Sequence, residues 1–395
     1  MLRSTITRLR TRVFRAVPEN SFIATQTSYQ LNNILAHFRG FVNSLCQSPL
    51  NLHALVHKLR FYDILCHNRG DQQVAESFPA ELLQTLVTSQ QPVAPAALTF
   101  QLIPTGKHNT SYFVGTGDGE LVLRIAPPDD AGFLFYERRM MAQEPEIHAL
   151  LRERTTVPVA RILAYDDSRT LIDRDYLLME RLPGRPLTEV QVTGPLYAHI
   201  LRQIGGYLRQ MHALTAERYG YLGAHHPMEP QTSWGEAFVI MWNLILDDIV
   251  ASRGYTVEEA AFMRQLLQAY QSCFDRSVPA SLLHMDVWHQ NILVDAQGTV
   301  TGLVDLDRAL WGDPEIEFAV LDYCGISEPA FWEGYGRSRD ISPEARIRAR
   351  FYLLYEVQKY IVIRLLRRDD PAGARRYKEQ SFALARPLTE GLGRR

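Results

Sequence analysis

Three oxygen-bearing side chains between residues 286 and 305 could together perform phosphoryl transfer. Asp286 precedes Asn291 by five residues, and Asp305 follows Asn291 by fourteen residues, at the end of an apolar run. Such a reaction needs a base that orients the acceptor hydroxyl, and oxygen ligands for the Mg²⁺ that neutralises the phosphates. Magnesium prefers a few hard oxygen ligands and keeps several waters. One aspartate and one asparagine suit the metal, which leaves the other aspartate for the hydroxyl.

Two short strands predicted after this loop would bring the three side chains together. Runs of β-type residues at Ile292–Val294 and Val300–Val304 flank a Gln-Gly turn, a pattern typical of a hairpin. The loop that carries Asp286 and Asn291 opens into this hairpin, and the return strand delivers Asp305 beside Asn291. Strand ends that present carboxylates into a cleft are a recurrent way to build such a site.

The preceding part of the chain predicts a small antiparallel sheet with one helix. Short strand-type runs are separated by Gly106 and by a Gly-Asp-Gly turn, which is typical of hairpins. We predict a helix at Glu146–Glu153 and strands at Leu98–Ile103, Ser111–Thr116, Glu120–Ile125, Ala160–Tyr165 and Tyr176–Arg181. Beyond Pro183–Gly184 the apolar residues recur at helical spacing, and helices fill most of the remainder.

The motif H-x-D-x(4)-N from His284 to Asn291, followed by the strand-terminal Asp305, resembles the catalytic and metal loops of eukaryotic-like kinases. Trp288, the D-L-D triplet that begins at Asp305 and the G-D-P segment after it are similar to the aminoglycoside phosphotransferase and related small-molecule kinase family. The resemblance extends over roughly residues 98–340.

This resemblance implies an α+β, two-lobed protein-kinase-like fold. A small antiparallel N-lobe at residues 96–182 would bind the nucleotide, and a mainly helical C-lobe at residues 183–395 would carry the catalytic loop and the acceptor site. Residues 1–95 would form a helical N-terminal extension of unknown role. The reaction would use Mg²⁺ as cofactor and ATP or GTP as co-substrate.

The resemblance also implies a role for the polar residues of the loop. Asp286 is expected to be the catalytic base, and Asn291 and Asp305 are expected to hold magnesium. His284 is expected to be a structural histidine bonded to backbone, because the role of base is already filled. Asp307 either bonds to the catalytic loop or contacts the metal, and we favour support of the loop.

On the acceptor side, Trp288 is a candidate wall of the binding site. Relatives that phosphorylate aminoglycosides attract the polycation with acidic pockets. Acidic residues after the loop could do the same here, although a solvated acidic helix face explains them equally well. These candidates are Glu315, Glu317, Glu328 and Glu333.

On the nucleotide side, the resemblance implies that the turn after the first strand lies over the phosphates and binds them through backbone N–H groups. A hairpin turn without function is the alternative. The turn residues expected to take part are Gly106, Asn109, Thr110 and Ser111.

Arg124 on the third strand occupies the position at which protein kinases have lysine, and its guanidinium can bind two phosphate oxygens at once. Its partner is expected to be an acid of the following helix. Glu146 fits best, while Glu144 and Glu137 are competitors.

The segment from Tyr176 to Gly184 resembles the hinge between the lobes. An adenine would bond backbone groups near Glu180 and Leu182, although an edge strand followed by a turn has the same sequence pattern.

Taken together, these features predict an ATP- or GTP-dependent phosphotransferase that acts on a hydroxyl of a small molecule, such as an aminoglycoside-like antibiotic. A nucleotide-binding pseudokinase or interaction module is the alternative, and the complete set of three site residues argues against it. A protein kinase is a weaker hypothesis. Met285 stands where an H-R-D motif has arginine, and Leu306–Asp307 replaces Phe-Gly after Asp305.

The composition sets broader limits. A net charge of -2 gives no general reason to expect nucleic acid or an anionic membrane as partner. The four cysteines are scattered without zinc or redox spacing, which indicates a reducing compartment. No apolar run is long enough to span a bilayer. We expect a cytoplasmic protein, with organelle targeting by the arginine-rich N-terminus left open. The sequence does not indicate an oligomeric state.

Overall fold

The structure is a computed structural model that describes residues 76–106, 108–129 and 132–392. The expectations for the arginine-rich start and for the N-terminal extension up to residue 75 lie outside the described residues.

The N-lobe is built on a five-stranded antiparallel sheet with the strand order β1-β2-β3-β5-β4. In this sheet Ser111 pairs with Arg124, and Arg124 pairs in turn with Leu177. Because side chains alternate between the two faces of a strand, Arg124 and Leu123 point to opposite sides. The strands are β1 (Thr99–Ile103), β2 (Thr110–Gly115), β3 (Glu120–Ile125), β4 (Ile162–Asp166) and β5 (Tyr176–Glu180).

A helix before the sheet, α1 (Ala80–Gln90), covers the face that carries Leu123. Its buried residues Leu83, Leu86 and Val87 recur at helical spacing and pack on this face. The sequence analysis placed the helix in the N-terminal extension, but its packing makes it part of the N-lobe core. Periodicity in the sequence shows that a helix has an apolar face, and it does not show what that face contacts.

The other helix of the N-lobe, α2 (Glu144–Arg154), connects the two lobes. A short 3-10 turn at Met140–Gln143 leads into it, and Met141 packs with β5 residues Leu177 and Met179. Ile147 and Leu151 belong instead to the large core of the C-lobe. The helix and the turn that leads into it are therefore packed on both lobes, which limits how far they can move relative to either.

The loop between β3 and α2 also reaches the C-lobe, and we call residues 132–139 the bridging segment. The backbone N–H of Phe135 donates to Asp248 Oδ2 at 2.7 Å. Glu137 forms an ion pair with Arg367. The ring of Tyr136 stacks on Tyr221 with centroids 5.3 Å apart.

Between the lobes, Gly184 adopts a left-handed conformation with φ +97°. A Cβ atom at this position would lie 2.8 Å from the carbonyl oxygen of Val294, closer than any side chain can approach. Glycine is therefore required where the chain leaves the N-lobe. The next two residues form β6 (Arg185–Pro186), which joins a C-lobe sheet.

The C-lobe is mainly helical, with two small antiparallel sheets of order β10-β9-β6 and β11-β8-β7. Its remaining strands are β7 (Thr215–Ala216), β8 (Ala280–Leu283), β9 (Ile292–Val294), β10 (Val300–Leu303) and β11 (Leu310–Gly312). Its helices are α3 (Gly194–Ala213), α4 (Trp234–Ala251), α5 (Val257–Ala269), α6 (Pro314–Cys324), α7 (Pro329–Tyr335), α8 (Pro343–Leu366) and α9 (Pro371–Leu392).

This architecture is the two-lobed α+β fold that the sequence predicted. The strand at Glu120–Ile125 has the predicted bounds, and the predicted hairpin after the catalytic loop is present as β9 and β10. Asp313 caps α6, because its side chain accepts a hydrogen bond from the backbone N–H of Glu315. Within the described residues, every helix is too short or too polar to cross a membrane.

We predict that Leu86→Ala lowers the free energy of unfolding by about 2–5 kcal/mol, because Leu86 is fully buried between α1 and the sheet. Urea unfolding followed by circular dichroism measures the change. Thr85→Ala, at an exposed position of the same helix, is the control and should change stability by less than about 0.5 kcal/mol. Equal unfolding midpoints for the two variants would show that α1 is not part of the core.

Candidate active site

The loop between β8 and β9 places Asp286 and Asn291 side by side. The amide nitrogen of Asn291 donates to Asp286 Oδ2 at 2.8 Å and to the backbone oxygen of Asp286 at 3.0 Å. These two bonds fix the orientation of the Asn291 amide. Its oxygen Oδ1 is consequently the group that remains for a cation, and amide oxygens are suitable ligands for magnesium.

The backbone before Asp286 is strained and is held by buried polar groups. Met285 is left-handed, with φ +66°. Its N–H donates to Glu317 Oε1 at 2.6 Å, and the N–H of His284 donates to Glu317 Oε2 at 3.3 Å. His284 Nδ1 accepts a hydrogen bond from the backbone N–H of Asp286 at 3.3 Å. This is the contact with backbone that the sequence analysis expected of His284.

Glu317 is fully buried on α6, and its carboxylate is stabilised in the charged form. Burial opposes ionisation, but the hydrogen bond from His212, the electrostatic effect of His212 and His284, and the bond from the Met285 N–H hold the pKa of Glu317 below its ordinary value. An ionised carboxylate is the acceptor that two adjacent backbone N–H groups need, so Glu317 fixes the path of the loop.

Asp305 follows β10 and completes the predicted set of three residues. The N–H of Val304 donates to the backbone oxygen of Asn291 at 3.0 Å, which brings the two loops together. Asp305 is left-handed, with φ +70°, and its side chain is 39% exposed toward the cleft. Asp305 also lies near enough to Asp286 for its charge to raise the pKa of that carboxyl. The structure thus brings Asp286, Asn291 and Asp305 together.

Burial raises the pKa of Asp286 to about 7. The positive charges of Lys359 and Arg308 act in the opposite direction, whereas Asp305 and Glu356 add to the increase. A carboxyl group whose pKa lies near neutrality is well matched to accept a proton from a hydroxyl group.

Arg124 connects the N-lobe to this site. Its Nη1 donates to Glu144 at 2.6 Å, and its Nη2 donates to Asp305 at 2.7 Å and to Asp307 at 3.1 Å. The prediction of Glu146 as the partner is wrong, and the competitor Glu144 takes this place. Residues two apart on a helix point about 200° away from each other. The side chain of Glu146 therefore lies on the exposed face while Glu144 is fully buried.

The predicted phosphate turn lies next to the same carboxylates. A Cβ on Gly106 would lie 2.6 Å from the backbone oxygen of Asn109, so only glycine allows this turn. The side-chain amide of Asn109 donates to Asp307 Oδ2 at 3.1 Å. Thr110 and Ser111 are half-buried at the start of β2. Asp307 is buried, and its carboxylate binds both the turn and Arg124. Support of the catalytic loop by Asp307 remains a prediction.

The predicted hinge residues lie at the end of β5. The N–H of Glu180 donates to the backbone oxygen of Arg161 at 3.0 Å, and its carboxylate accepts from the Arg161 side chain at 2.9 Å. Leu182 packs with Val122 and Met179 in the small core beneath the sheet. Contact of Glu180 and Leu182 with an adenine remains a prediction.

On the acceptor side, Trp288 is half-buried in the catalytic loop. Three of the four acidic candidates are already engaged. Glu317 holds the loop from inside the C-lobe, Glu315 binds Arg348 and Arg276, and Glu333 binds Arg202. These three acids are therefore not an open pocket for a cationic acceptor.

Three charged residues near Asp286 were missed by the sequence analysis, namely Arg308, Glu356 and Lys359. All three are at most 5% exposed. A signal was present, because Glu356 and Lys359 interrupt an otherwise apolar run in α8. Charged residues within a buried helix face indicate paired ions, but the sequence alone does not show what they face.

Residues 99–352 match the family model described as the phosphotransferase enzyme family. The chain belongs to this family. The match confirms the resemblance stated from the H-x-D-x(4)-N motif and the D-L-D triplet, and with it the prediction of a phosphotransferase.

Individual relatives of this phosphotransferase are distant. A protein named as a probable ketoamine kinase of Vibrio parahaemolyticus is 24% identical over 263 residues, which are 64% of this chain and 82% of that protein. A crystal structure assigned as a fructosamine-3-kinase of Haemophilus somnus has a TM-score of 0.55 at 16% identity, over 78% of this chain and 96% of that chain.

The aminoglycoside phosphotransferase APH(4)-Ia, solved as a thermostable mutant in a ternary complex with AMP-PNP and hygromycin B, also has a TM-score of 0.55 at 16% identity. The alignment covers 77% of this chain and 98% of that chain. At this identity the likeness shows the fold alone, and it confirms the predicted protein-kinase-like arrangement of the two lobes.

We predict that Glu144→Gln destabilises the phosphotransferase by about 1–3 kcal/mol, because a buried guanidinium loses an ionised partner. Glu146→Gln makes the same chemical change two residues away on the exposed face and should cost less than about 0.5 kcal/mol. Urea unfolding compares the two variants. A larger loss for Glu146→Gln would contradict the assignment of Glu144 as the partner of Arg124.

Proposed function

We propose that the chain is an ATP- or GTP-dependent small-molecule kinase that transfers the γ-phosphoryl group to a hydroxyl of a ketoamine. The bond from the Asn291 amide nitrogen to Asp286 carries the proposal. Asn291 Oδ1 would then be available to hold a metal ion, and the Asp286 carboxylate lies next to the same amide group. This is the arrangement that phosphoryl transfer to a hydroxyl needs.

In this proposal Asp286 accepts the proton of the acceptor hydroxyl as the hydroxyl oxygen bonds to the γ-phosphorus and the bond to the β-phosphate oxygen breaks. Asn291 and Asp305 would hold Mg²⁺, which neutralises phosphate charge when bound. Arg124 would contact phosphate oxygens from β3. Its Nη2 lies against Asp305 and Asp307, so the guanidinium is next to the expected magnesium ligand Asp305. The diphosphate nucleotide leaves once the acceptor is phosphorylated.

Two observations favour a ketoamine over an aminoglycoside-like acceptor. The Vibrio parahaemolyticus relative, matched over 82% of its length, is named for ketoamine phosphorylation. In addition, Glu315 and Glu333 are paired with arginines, and Glu317 is buried and bonded to His212, so these acids do not form an acidic pocket for a polycation. An aminoglycoside is the second candidate, because APH(4)-Ia, of similar fold, was solved with hygromycin B.

We expect Asp286→Asn to reduce turnover by about 10²–10⁴-fold, because one positioned acid–base group is lost. Nucleotide affinity should remain within about threefold of the wild type, because the phosphates and metal are held by other groups. Steady-state kinetics and calorimetric nucleotide titration measure the two quantities. Asp305→Ala is the contrasting variant and should abolish magnesium-dependent nucleotide binding. Full turnover by Asp286→Asn with the acceptor would overturn the assignment of the base.

The acceptor class can be tested by acceptor-dependent release of ADP. A fructosyl-lysine ketoamine, hygromycin B and the unmodified sugar should be compared at equal concentrations. We expect kcat/KM for the ketoamine to exceed that for hygromycin B by at least about tenfold, or about 1.4 kcal/mol of transition-state binding. Asp286→Asn is the control for contaminating ATPase activity. A preference for hygromycin B would favour the second candidate.

A further inference from the structure

We infer that Arg308 is a positioning residue for the reaction, and that together with Glu356 and Lys359 of α8 it fixes the peptide group that precedes Asp286. The inference rests on the proposed function only in taking Asp286 as the base. It adds Arg308, Glu356 and Lys359 to the residues that orient this base. Glu356 and Lys359 lie more than 60 positions after Asp286 in the sequence.

The first reason is the conformation of Met285. A non-glycine residue in the left-handed region costs on the order of 1–3 kcal/mol and persists only where surrounding contacts determine it. Both backbone polar groups of Met285 are held by buried charged side chains. Its N–H donates to Glu317 Oε1 at 2.6 Å, and its carbonyl oxygen accepts from Arg308 Nη1 at 2.9 Å. The peptide leading into Asp286 is therefore clamped from two sides.

The second reason is that Arg308 is itself held in place. The same Nη1 donates to Glu356 Oε2 at 2.8 Å, and the guanidinium lies over the ring of Tyr136 at 5.2 Å. Tyr136 belongs to the bridging segment and Glu356 belongs to α8. The position of the Met285 carbonyl thus depends on a contact from the N-lobe side and on a C-lobe helix.

The third reason is the arrangement of charge around Glu356. Lys359 Nζ lies 2.6 Å from Glu356 Oε1, so each oxygen of this carboxylate has a cationic partner. Buried ion clusters of this kind commonly stabilise a fold no better than apolar side chains of similar volume, because desolvation of the charges offsets their attraction. Stability alone therefore does not account for this cluster, whereas a need for directed hydrogen bonding to Met285 does.

The fourth reason is where Arg308 lies in the chain. It comes directly after Asp307 and three residues after Asp305. The Arg308 side chain thus links the loop that carries Asp305 and Asp307 to the loop that carries Asp286. A shift of about 1 Å in a reacting group can reduce a rate by about 10²-fold, so the bond from Arg308 to Met285 is expected to affect turnover more than binding.

The test compares Arg308→Met, Glu356→Met and the double variant. For Arg308→Met we expect kcat to fall about 10–100-fold, with KM for ATP within about twofold of the wild type. In the double variant Lys359 is the one charge of the cluster that remains, so stability should recover relative to Glu356→Met, in which Arg308 and Lys359 are both left without the carboxylate. The rate should not recover, because the Met285 carbonyl still lacks its donor. Arg308→Lys keeps one donor and should restore part of the rate.

The matched control is the ion pair of Arg348 on α8 with Glu315 on α6, which has N–O distances of 2.7 Å and 3.0 Å. Arg348→Met combined with Glu315→Met removes an ion pair between a buried arginine and a half-buried glutamate. Within the described part of the chain, the other partners of these two side chains are Arg276, Cys273 and Asp340, which lie outside the catalytic loop. We expect this double variant to keep the wild-type kcat.

Two results would overturn the inference. One is an unchanged kcat in Arg308→Met, and the other is recovery of kcat together with stability in the double variant. If Arg308→Met does not fold, Arg308→Lys and the double variant decide by the same criteria. Asp286→Asn separates this failure from failure of the proposed function. A normal rate in Arg308→Met with an impaired Asp286→Asn rejects only the role of Arg308.

Discussion

The guanidinium of Arg124 is the point at which the two lobes meet electrostatically, and the geometry of the cleft depends on it. It is 7% exposed and bonds Glu144 of α2 together with Asp305 and Asp307 of the C-lobe. Charge-assisted bonds are strong where water is excluded, and leaving one buried partner unpaired is costly. The N-lobe sheet, helix α2 and the loop after β10 must therefore adopt compatible positions before all hydrogen bonds of this guanidinium can form.

The same principle extends to the catalytic loop, where charged side chains bind backbone groups. Glu317 accepts from two consecutive N–H groups, and Arg308 donates to the carbonyl oxygen of Met285. A bond to backbone fixes the path of the chain independently of the side chains on the loop. Asp286 consequently needs few contacts of its own, and its carboxylate stays at the cleft with a pKa that burial raises to about 7.

The two lobes are also packed together at places away from the cleft. Helix α2 contributes Ile147 and Leu151 to the C-lobe core, and the bridging segment binds α4 through Asp248. A hinge at Gly184 joins the lobes on the chain, but rotation about it is restrained by apolar contacts as well as by ion pairs. A nucleotide would therefore bind in a cleft whose walls are largely set beforehand.

The sequence by itself determined those features that depend on the spacing of residues close together in the chain. The five residues from Asp286 to Asn291 and the short hairpin before Asp305 confine these side chains to one loop region, so their proximity was predictable. The tertiary structure decided which way the face of a helix points and which residues it contacts. Glu144 and Glu146 differ only by about 200° of helical rotation, and α1 has an apolar stripe whose partner is distant in the chain. Arg308 and Glu356 likewise meet across 48 positions. Contacts over such separations arise from packing, which local pattern does not encode.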